Sequence, residues 1–324
     1  MLNAAIVGLG RWGQKIVNAV QGKSDCVRFV HGVSKEPDSV REFAQRHRFR
    51  LSTDLADVLA DPEVGAVVLV TPHSLHVEQI IAVAKAGKPV FCEKPLALRK
   101  ADAVRAVRAC QEAGVLLGIG TNKRLWPCMR ELRRVLASGV LGEILHLEAH
   151  YSNENSESNM TSWRSLPTEA PAGGMTGAGI HVLDALVSLA GPARRVHAQL
   201  VVRKPHPDPH DTMSVMFEFA NGTSGLLGAV RATPFYWRTH VFGTKGSVEA
   251  LGETDLVVRL SKGKIERQSF APVDSLRAEF EVFAQAVMGR CSYPVKTEEM
   301  INTVAAFEAI VQSLEANATI TLND

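Results

Sequence analysis

Three groups of residues in this chain have types and spacings that suit chemistry. The first is Gly8-Leu9-Gly10-Arg11-Trp12-Gly13, glycines in the spacing G-x-G-x-x-G. Gly8 permits a tight turn, Gly10 lets the backbone approach a pyrophosphate, and Gly13 lets a helix pack closely on a strand. The helix that opens there, with Arg11 and Trp12 in its first turn, turns unpaired N–H groups toward the phosphates. An apolar run (4–7) precedes the motif and a helical pattern (12–20) follows it, which is the setting that signals a dinucleotide. Arg11 is either a phosphate contact or a solvated surface arginine. The second group is Glu93-Lys94-Pro95, directly after the apolar run 90–92. A half-buried lysine at a strand end suits proton transfer, because desolvation disfavours its charge. The bland alternative is a surface Glu–Lys pair. The third group is the glycine-rich stretch 173–179 with His181 and Asp184 after it. Those two lie one helical turn apart on one face. A glycine-rich helix entry suits a polar or anionic ligand, although a lone histidine there is more often structural.

Elements must bring these groups together. Helical and extended patterns alternate through the first part: strands at 4–7, 28–33, 65–70, 90–92 and 115–119, helices at 12–20, 37–46, 54–60, 76–85 and 100–112. The run 65–70 is continuously apolar, as in a strand buried on both faces. This order predicts a doubly wound parallel sheet with ligands at the carboxyl ends of its strands. Thr71-Pro72-His73-Ser74-Leu75-His76 and Glu93-Lys94 fall at such ends. Thr71, Pro72, His73, His76 and Glu93 are therefore candidates for cofactor contact.

The end of the second strand reads Gly32-Val33-Ser34-Lys35-Glu36-Pro37. A site for NAD(H) offers Asp or Glu to the ribose there. Ser34 holds that place, with Lys35 beside it. A hydroxyl and an ammonium suit a 2′-phosphate, so NADP(H) is the preferred cofactor and NAD(H) the second choice. Glu36, two residues on, is the rival ribose ligand.

From Asn122 onward the pattern changes, which divides the chain into domains 1–121 and 122–324. A helix at 127–138 and a strand at 144–151 come first, followed by a long polar stretch, 152–171, of the kind that forms lids and binding loops. After the helix 180–189, strands at 194–202, 212–219, 223–230, 238–242, 247–251, 255–259 and 264–268 read as a largely antiparallel meander. Helices at 275–288 and 298–315 and a strand at 319–322 close the chain. The second domain is thus α+β with a large, mostly antiparallel sheet. An open face on such a sheet is a natural homodimer or homotetramer interface.

The glycine motif, Thr71-Pro72-x-x-x-His76, Glu93-Lys94-Pro95 and Gly179-Ile180-His181-x-x-Asp184, in this order along nearly the whole chain, resemble the Gfo/Idh/MocA family of nicotinamide-dependent oxidoreductases. The resemblance implies a Rossmann nucleotide domain and hydride transfer at a hydroxyl or carbonyl carbon of a sugar, cyclitol, dihydrodiol or related hydroxy acid. It implies Lys94 as the catalytic residue beside the nicotinamide and His181 as its acid/base partner or substrate ligand. It implies Asp184 as a substrate or histidine-orienting group, and a peptide bond before Pro95 that is often cis in relatives. Trp163-Arg164 match a pair common in relatives, with Trp163 anchoring its loop. Asn122, Arg124 and Arg164 complete the candidate substrate set, with Lys123 and Arg238 as further pocket cations. Two departures stand out. His73 replaces the usual asparagine, and Gly177 replaces an aspartate that many polyol-oxidising relatives place four residues before the histidine. The second departure leaves an Asp–His unit incomplete and removes negative charge from the pocket. It therefore hints at an acidic substrate, or at a catalytically weak, cofactor-sensing regulator as the alternative function.

Composition excludes other classes. Hydrophobic residues are 46% and charged residues 22% of 324, ordinary for a globular chain, and the net charge of +2 gives no nucleic-acid footprint. No apolar run is long enough to span a bilayer, and no secretory leader is evident. Five scattered cysteines without a C-x-x-C pair predict reduced thiols and a cytoplasmic protein. The segment His206-Pro207-Asp208-Pro209-His210-Asp211 has residue types that suit zinc, but its prolines and isolation favour a polar loop; no metal is expected.

Overall fold

The computed structural model describes residues 1–153, 163–205 and 207–322. Two compact units emerge. One comprises Met1–Ala97, Ala101–Asn122 and Asp274–Met300, the other Leu98–Lys100, Lys123–Val273 and Ile301–Asp324.

In the first unit strands and helices alternate as β1 (Leu2–Val7), α1 (Arg11–Val20), β2 (Val27–Val33), α2 (Pro37–His47), β3 (Arg50–Ser52), α3 (Leu55–Ala60), β4 (Ala66–Leu69), α4 (His76–Lys85), β5 (Val90–Cys92), α5 (Lys100–Glu112) and β6 (Leu117–Ile119). The six strands form one parallel sheet in the order β3-β2-β1-β4-β5-β6. That is the doubly wound arrangement, with the direction of winding reversing at β1. β4 is buried at every residue, which explains its unbroken apolar sequence. β3 has no apolar alternation to betray it; it is a three-residue edge strand with Arg50 exposed.

The second unit contains α6 (Pro127–Ala137), β7 (Ile144–Asn153), α7 (Ile180–Ala190), β8 (Ala193–Val201), β9 (Thr212–Phe219), β10 (Ser224–Arg231), β11 (Tyr236–Gly243), β12 (Gly246–Leu251), β13 (Asp255–Leu260) and β14 (Lys264–Ser269). The chain continues with α8 (Ser275–Val287), α9 (Thr297–Ala316) and β15 (Ile320–Thr321). Nine strands make one sheet, ordered β14-β13-β12-β11-β7-β10-β9-β8-β15. This corrects the simple meander. β10 and β11 follow one another in sequence but are not neighbours. β7 lies between them, parallel to β10 and antiparallel to β11. A ten-residue strand has backbone groups to satisfy on both sides, and the central place provides both partners. Helices α6, α7 and α9 pack on one face through Leu132, Leu183, Leu186, Phe307 and Ile310. Leu145, Met216, Leu226 and Ile265 are exposed.

The helix α8 belongs to the first unit, although it follows the strands of the second. A single division at 121–122 does not anticipate this return. Its Leu276, Phe280, Phe283 and Ala284 recur at helical spacing and pack with Phe29 and Phe91, the Phe91 and Phe280 rings lying 4.5 Å apart. Gly118 on β6 makes room: a Cβ there would sit 2.7 Å from the Phe283 ring.

All five cysteines are free, and burial pushes the Cys110 and Cys128 thiols up to about 12, so neither is a nucleophile at neutral pH. Among the described residues no helix is long and apolar enough to cross a membrane.

Candidate active site

The carboxyl ends of β1, β4 and β5, neighbours in the sheet, carry the three motifs of the first unit. After β1 the chain turns at Gly8, whose φ of +100° is left-handed and whose missing Cβ would lie 2.5 Å from the Val70 carbonyl oxygen. Only glycine fits. Gly13 is as constrained, since a Cβ there would lie 2.0 Å from the Gly8 oxygen. A Cβ on Gly10, by contrast, would meet nothing within 4 Å. The start of α1 therefore faces open space over Gly10. No side chain caps that helix end, and no acidic residue stands in its first turn. The N–H groups of such a helix start suit a pyrophosphate. Arg11 is exposed there, and the Trp12 indole N–H has no hydrogen-bond partner among the described residues. These residues fit a dinucleotide.

Ser34 follows β2 directly; its Oγ accepts the Glu36 N–H at 3.2 Å, and Lys35 is exposed beside it. At the end of β4, Thr71 Oγ1 donates to Gln79 Oε1 at 2.5 Å. Sequence reading missed Gln79, which reads as one more polar helix residue. Pro72 is half-buried, and His73 is buried with its ring 5.8 Å from that of His76. His76, expected at the cofactor, is instead fully buried. Its Nδ1 lies 2.8 Å from the Pro95 carbonyl oxygen and its Nε2 3.0 Å from that of Thr71. Both partners only accept. Each bond thus asks for an N–H on the ring, and neutral imidazole has one.

At the end of β5 the Glu93 N–H donates to the Leu69 carbonyl at 2.9 Å, and the Lys94 N–H to Glu93 Oε2 at 3.3 Å. Glu93 is buried, its carboxylate against Gly120, where a Cβ would lie 2.9 Å away. Glu93 thus shapes the turn from within. The Lys94–Pro95 bond is cis, and Lys94 is half-buried. Asn122 Nδ2 donates to Ser275 Oγ at 2.9 Å, at the start of α8.

In the second unit His181 is half-buried near the start of α7, after the π-helical turn Met175–Gly179. Such turns are frequent at functional sites. The glycines before it serve packing more than ligand binding. A Cβ on Gly174 would lie 2.0 Å from Arg231 Nε, and the Gly174 N–H donates to Asp211 Oδ2 at 2.9 Å. Asp211 Oδ1 meets Arg231 Nε at 3.1 Å. Burial pulls the Arg231 guanidinium below its ordinary value, which the carboxylates of Asp211 and Asp208 oppose. Asp208 accepts the N–H groups of Arg203, Lys204 and His210. The carboxylates of the zinc-like segment thus brace a turn and the glycine stretch; His206 lies outside the described residues. Gly177 is the exception: it is exposed, and a Cβ there meets nothing within 4 Å.

Two expected substrate groups are taken up by each other. Arg124 Nε and Nη2 reach Asp184 Oδ2 and Oδ1 at 2.8 and 2.7 Å, and both residues are buried. Arg238 is engaged on the sheet with Glu148, and the Arg164 guanidinium lies 4.1 Å over the Trp163 ring. The Lys123 ammonium lies 4.2–5.9 Å from the rings of Trp126, Tyr151, Phe235 and Trp237, a cage that spans distant sequence and so left no local signal.

Comparison with known proteins agrees with this geometry. Residues 2–121 match the oxidoreductase family with NAD-binding Rossmann fold, and residues 129–249 match the GFO/IDH/MocA C-terminal domain. The 2,7-anhydro-N-acetylneuraminate hydratase of Escherichia coli is 28% identical over 261 residues, 77% of this chain and 67% of the relative. The trans-1,2-dihydrobenzene-1,2-diol dehydrogenase of Mus musculus is 27% identical over 244 residues, 74% and 70% of the two chains. The chain spans about two thirds of the length of the curated relatives it matches. The solved structure of levoglucosan dehydrogenase with NADH and levoglucosan superposes with a TM-score of 0.88 at 22% identity, covering 100% of both chains. The chain belongs to the Gfo/Idh/MocA family of NAD-binding oxidoreductases.

Proposed function

We propose that this protein is a dehydrogenase that moves a hydride between NADP(H) and a ring carbon bearing a hydroxyl or carbonyl, with Lys94 as proton donor and acceptor. The observation that carries the reading is the Glu93-Lys94-Pro95 turn, held at the carboxyl end of β5 two strands from the glycine loop. A bound nicotinamide would supply the hydride chemistry at its C4 carbon. In reduction the Lys94 ammonium hydrogen-bonds the carbonyl oxygen and delivers a proton; in oxidation the amine removes one. The family resemblance gives His181 the role of acid/base partner or substrate ligand. The substrate is a sugar, cyclitol, dihydrodiol or hydroxy acid. Relatives that act by name on an anhydro-neuraminate, a sugar acid, and on a dihydrodiol support that class. Arg164 and Lys123 are the cations for an acidic group.

A cofactor titration followed by an oxidation screen tests this. NADPH binds about 10-fold tighter than NADH, the worth of one charge-assisted contact from Lys35. Tighter NADH binding would sink the Ser34/Lys35 argument in favour of Glu36. The screen, run on levoglucosan, inositol, sugar acids and a dihydrodiol, returns turnover on at least one ring alcohol. Cofactor binding without turnover on any of them would favour the cofactor-sensing regulator, to which the bare Gly177 position points. That position has room, so Gly177→Asp folds with a melting temperature within about 4 °C of wild type. It raises turnover of neutral polyols by about 10-fold if the missing carboxylate limits proton removal.

We place the protein in the cytoplasm, in keeping with its free thiols. It assembles as a homodimer or homotetramer through the open sheet face bearing Leu145, Met216, Leu226 and Ile265.

A further inference from the structure

We propose that His76 is a positioning residue that locks the Lys94 turn to the nucleotide loop, so that proton transfer depends on a side chain that touches neither substrate nor cofactor. The proposal rests on the reading of Lys94 given above. Three fixed points bound the lysine. Before it, the Glu93 N–H is held by the Leu69 carbonyl and the Lys94 N–H by Glu93 Oε2. After it, the Pro95 carbonyl is held by His76 Nδ1 at 2.8 Å. The first two ties come from β4 and from the turn itself. The His76 bond fixes the far side, and it comes from a ring that is wholly buried and cannot exchange its partner for water.

The other ring nitrogen sets where that far side lies. His76 Nε2 faces the Thr71 carbonyl at 3.0 Å; as imidazolium the ring donates to both carbonyls, and as neutral imidazole it donates to one and packs its other edge against the second. Thr71 is in turn packed on Gly8, where an added Cβ would lie 3.2 Å from the Thr71 nitrogen. One imidazole therefore connects the backbone after Lys94 with the backbone beside the phosphate-binding glycines. A shift of about 1 Å in a catalytic group can cost about 100-fold in rate, and removal of this strut frees just such a shift. The role also explains the spacing Thr71-x-x-x-x-His76. His76 is the first residue of α4, so its ring can reach back over the turn that precedes the helix.

The test compares the cofactor-bound full-length protein as wild type, His76→Phe, which keeps a ring without N–H groups, and His76→Gln, whose amide can serve one carbonyl. Hydrogen exchange followed by mass spectrometry needs no substrate. In both variants peptides covering 70–74 and 93–98 exchange at least about 10-fold faster, while β1, β6 and α5 stay within about 2-fold. Uniformly faster exchange, which a merely structural role gives, overturns the proposal, as does unchanged exchange. With the substrate that the oxidation screen returns, kcat falls about 100-fold in His76→Phe and about 10-fold in His76→Gln, while the NADPH dissociation constant and KM stay within about 3-fold. Wild-type kcat in either folded variant, or an equal loss in cofactor affinity, overturns it. If His76→Phe does not fold, His76→Gln decides alone by the same criteria. Activity that survives Lys94→Ala marks a different failure, that of the lysine reading.

Discussion

Replacing Lys94 by Ala lowers kcat by about 1,000-fold or more and leaves NADPH affinity within about 3-fold of wild type. The separation follows from how the turn is built. The groups that suit the pyrophosphate end of the cofactor are backbone N–H groups at the start of α1 and the space over Gly10, neither of which involves the Lys94 side chain. The turn's own geometry depends on the Glu93 and Lys94 N–H groups and on the Pro95 carbonyl, all main chain, so truncating the lysine at Cβ leaves it in place. What is lost is one positioned ammonium or amine. Proton transfer by such a group contributes about 100- to 10,000-fold, and 1,000-fold corresponds to about 4 kcal/mol of barrier. Fluorescence titration with NADPH and steady-state turnover in the same preparation read the two effects separately. Turnover within 10-fold of wild type would remove Lys94 from the chemistry. A lost cofactor affinity would make it a binding residue.

The parts of this fold that were legible in sequence are those whose signal is local. The helix α4 and the strand β5 carry their bounds in apolar spacing and in the Gly87 that follows α4. Three features were not legible, the first because its own sequence is too short to show a period and the other two because their cause lies far away in the chain. β3 is a short edge strand without alternation. β7 takes a central place because two later strands flank it, and no pattern within 144–153 records that. The helix α8 shows a correct amphipathic period, but the period says only that one face is buried and not that its partners are Phe29 and Phe91.

The candidate site divides in the same way. Gly8 and Gly13 were readable because a glycine forced by backbone contact implies one geometry. The glycines at 173 and 174 gave a similar signal with a different cause: they admit Arg231 and Asp211, not a ligand. His76 was assigned from motif position to the cofactor, whereas its two nitrogens serve two carbonyls. Motif spacing locates a residue at the strand ends. It does not say whether the side chain faces the ligand or the loop beneath it.

The pair Arg124–Asp184 shows the same ambiguity, and breaking it carries the largest expected effect on stability. Asp184→Ala destabilises the protein by about 3–5 kcal/mol, because it removes the carboxylate that Nε and Nη2 of a buried guanidinium face. The pair is bidentate at 2.7 and 2.8 Å, and its side chains are 8% and 7% exposed. It joins the 3-10 turn Asn122–Leu125 to α7 just beyond His181. Arg133 on α6 strengthens the same junction, donating to the Arg124 carbonyl at 3.1 Å and to Ser188 Oγ at 2.9 Å. A buried ion pair need not be stabilising against an apolar replacement of similar volume, so the double variant Arg124→Met/Asp184→Leu should recover most of the loss, to within about 1–2 kcal/mol of wild type. Urea unfolding monitored through the Trp126 and Trp237 fluorescence of this unit measures both. The recovered double variant then separates the two roles considered for these residues. If they only brace α7, its KM stays near wild type. If either side chain grips substrate, KM rises at least about 10-fold while the fold is intact. A single variant as stable as wild type would show that the pair is not the buried brace its geometry describes.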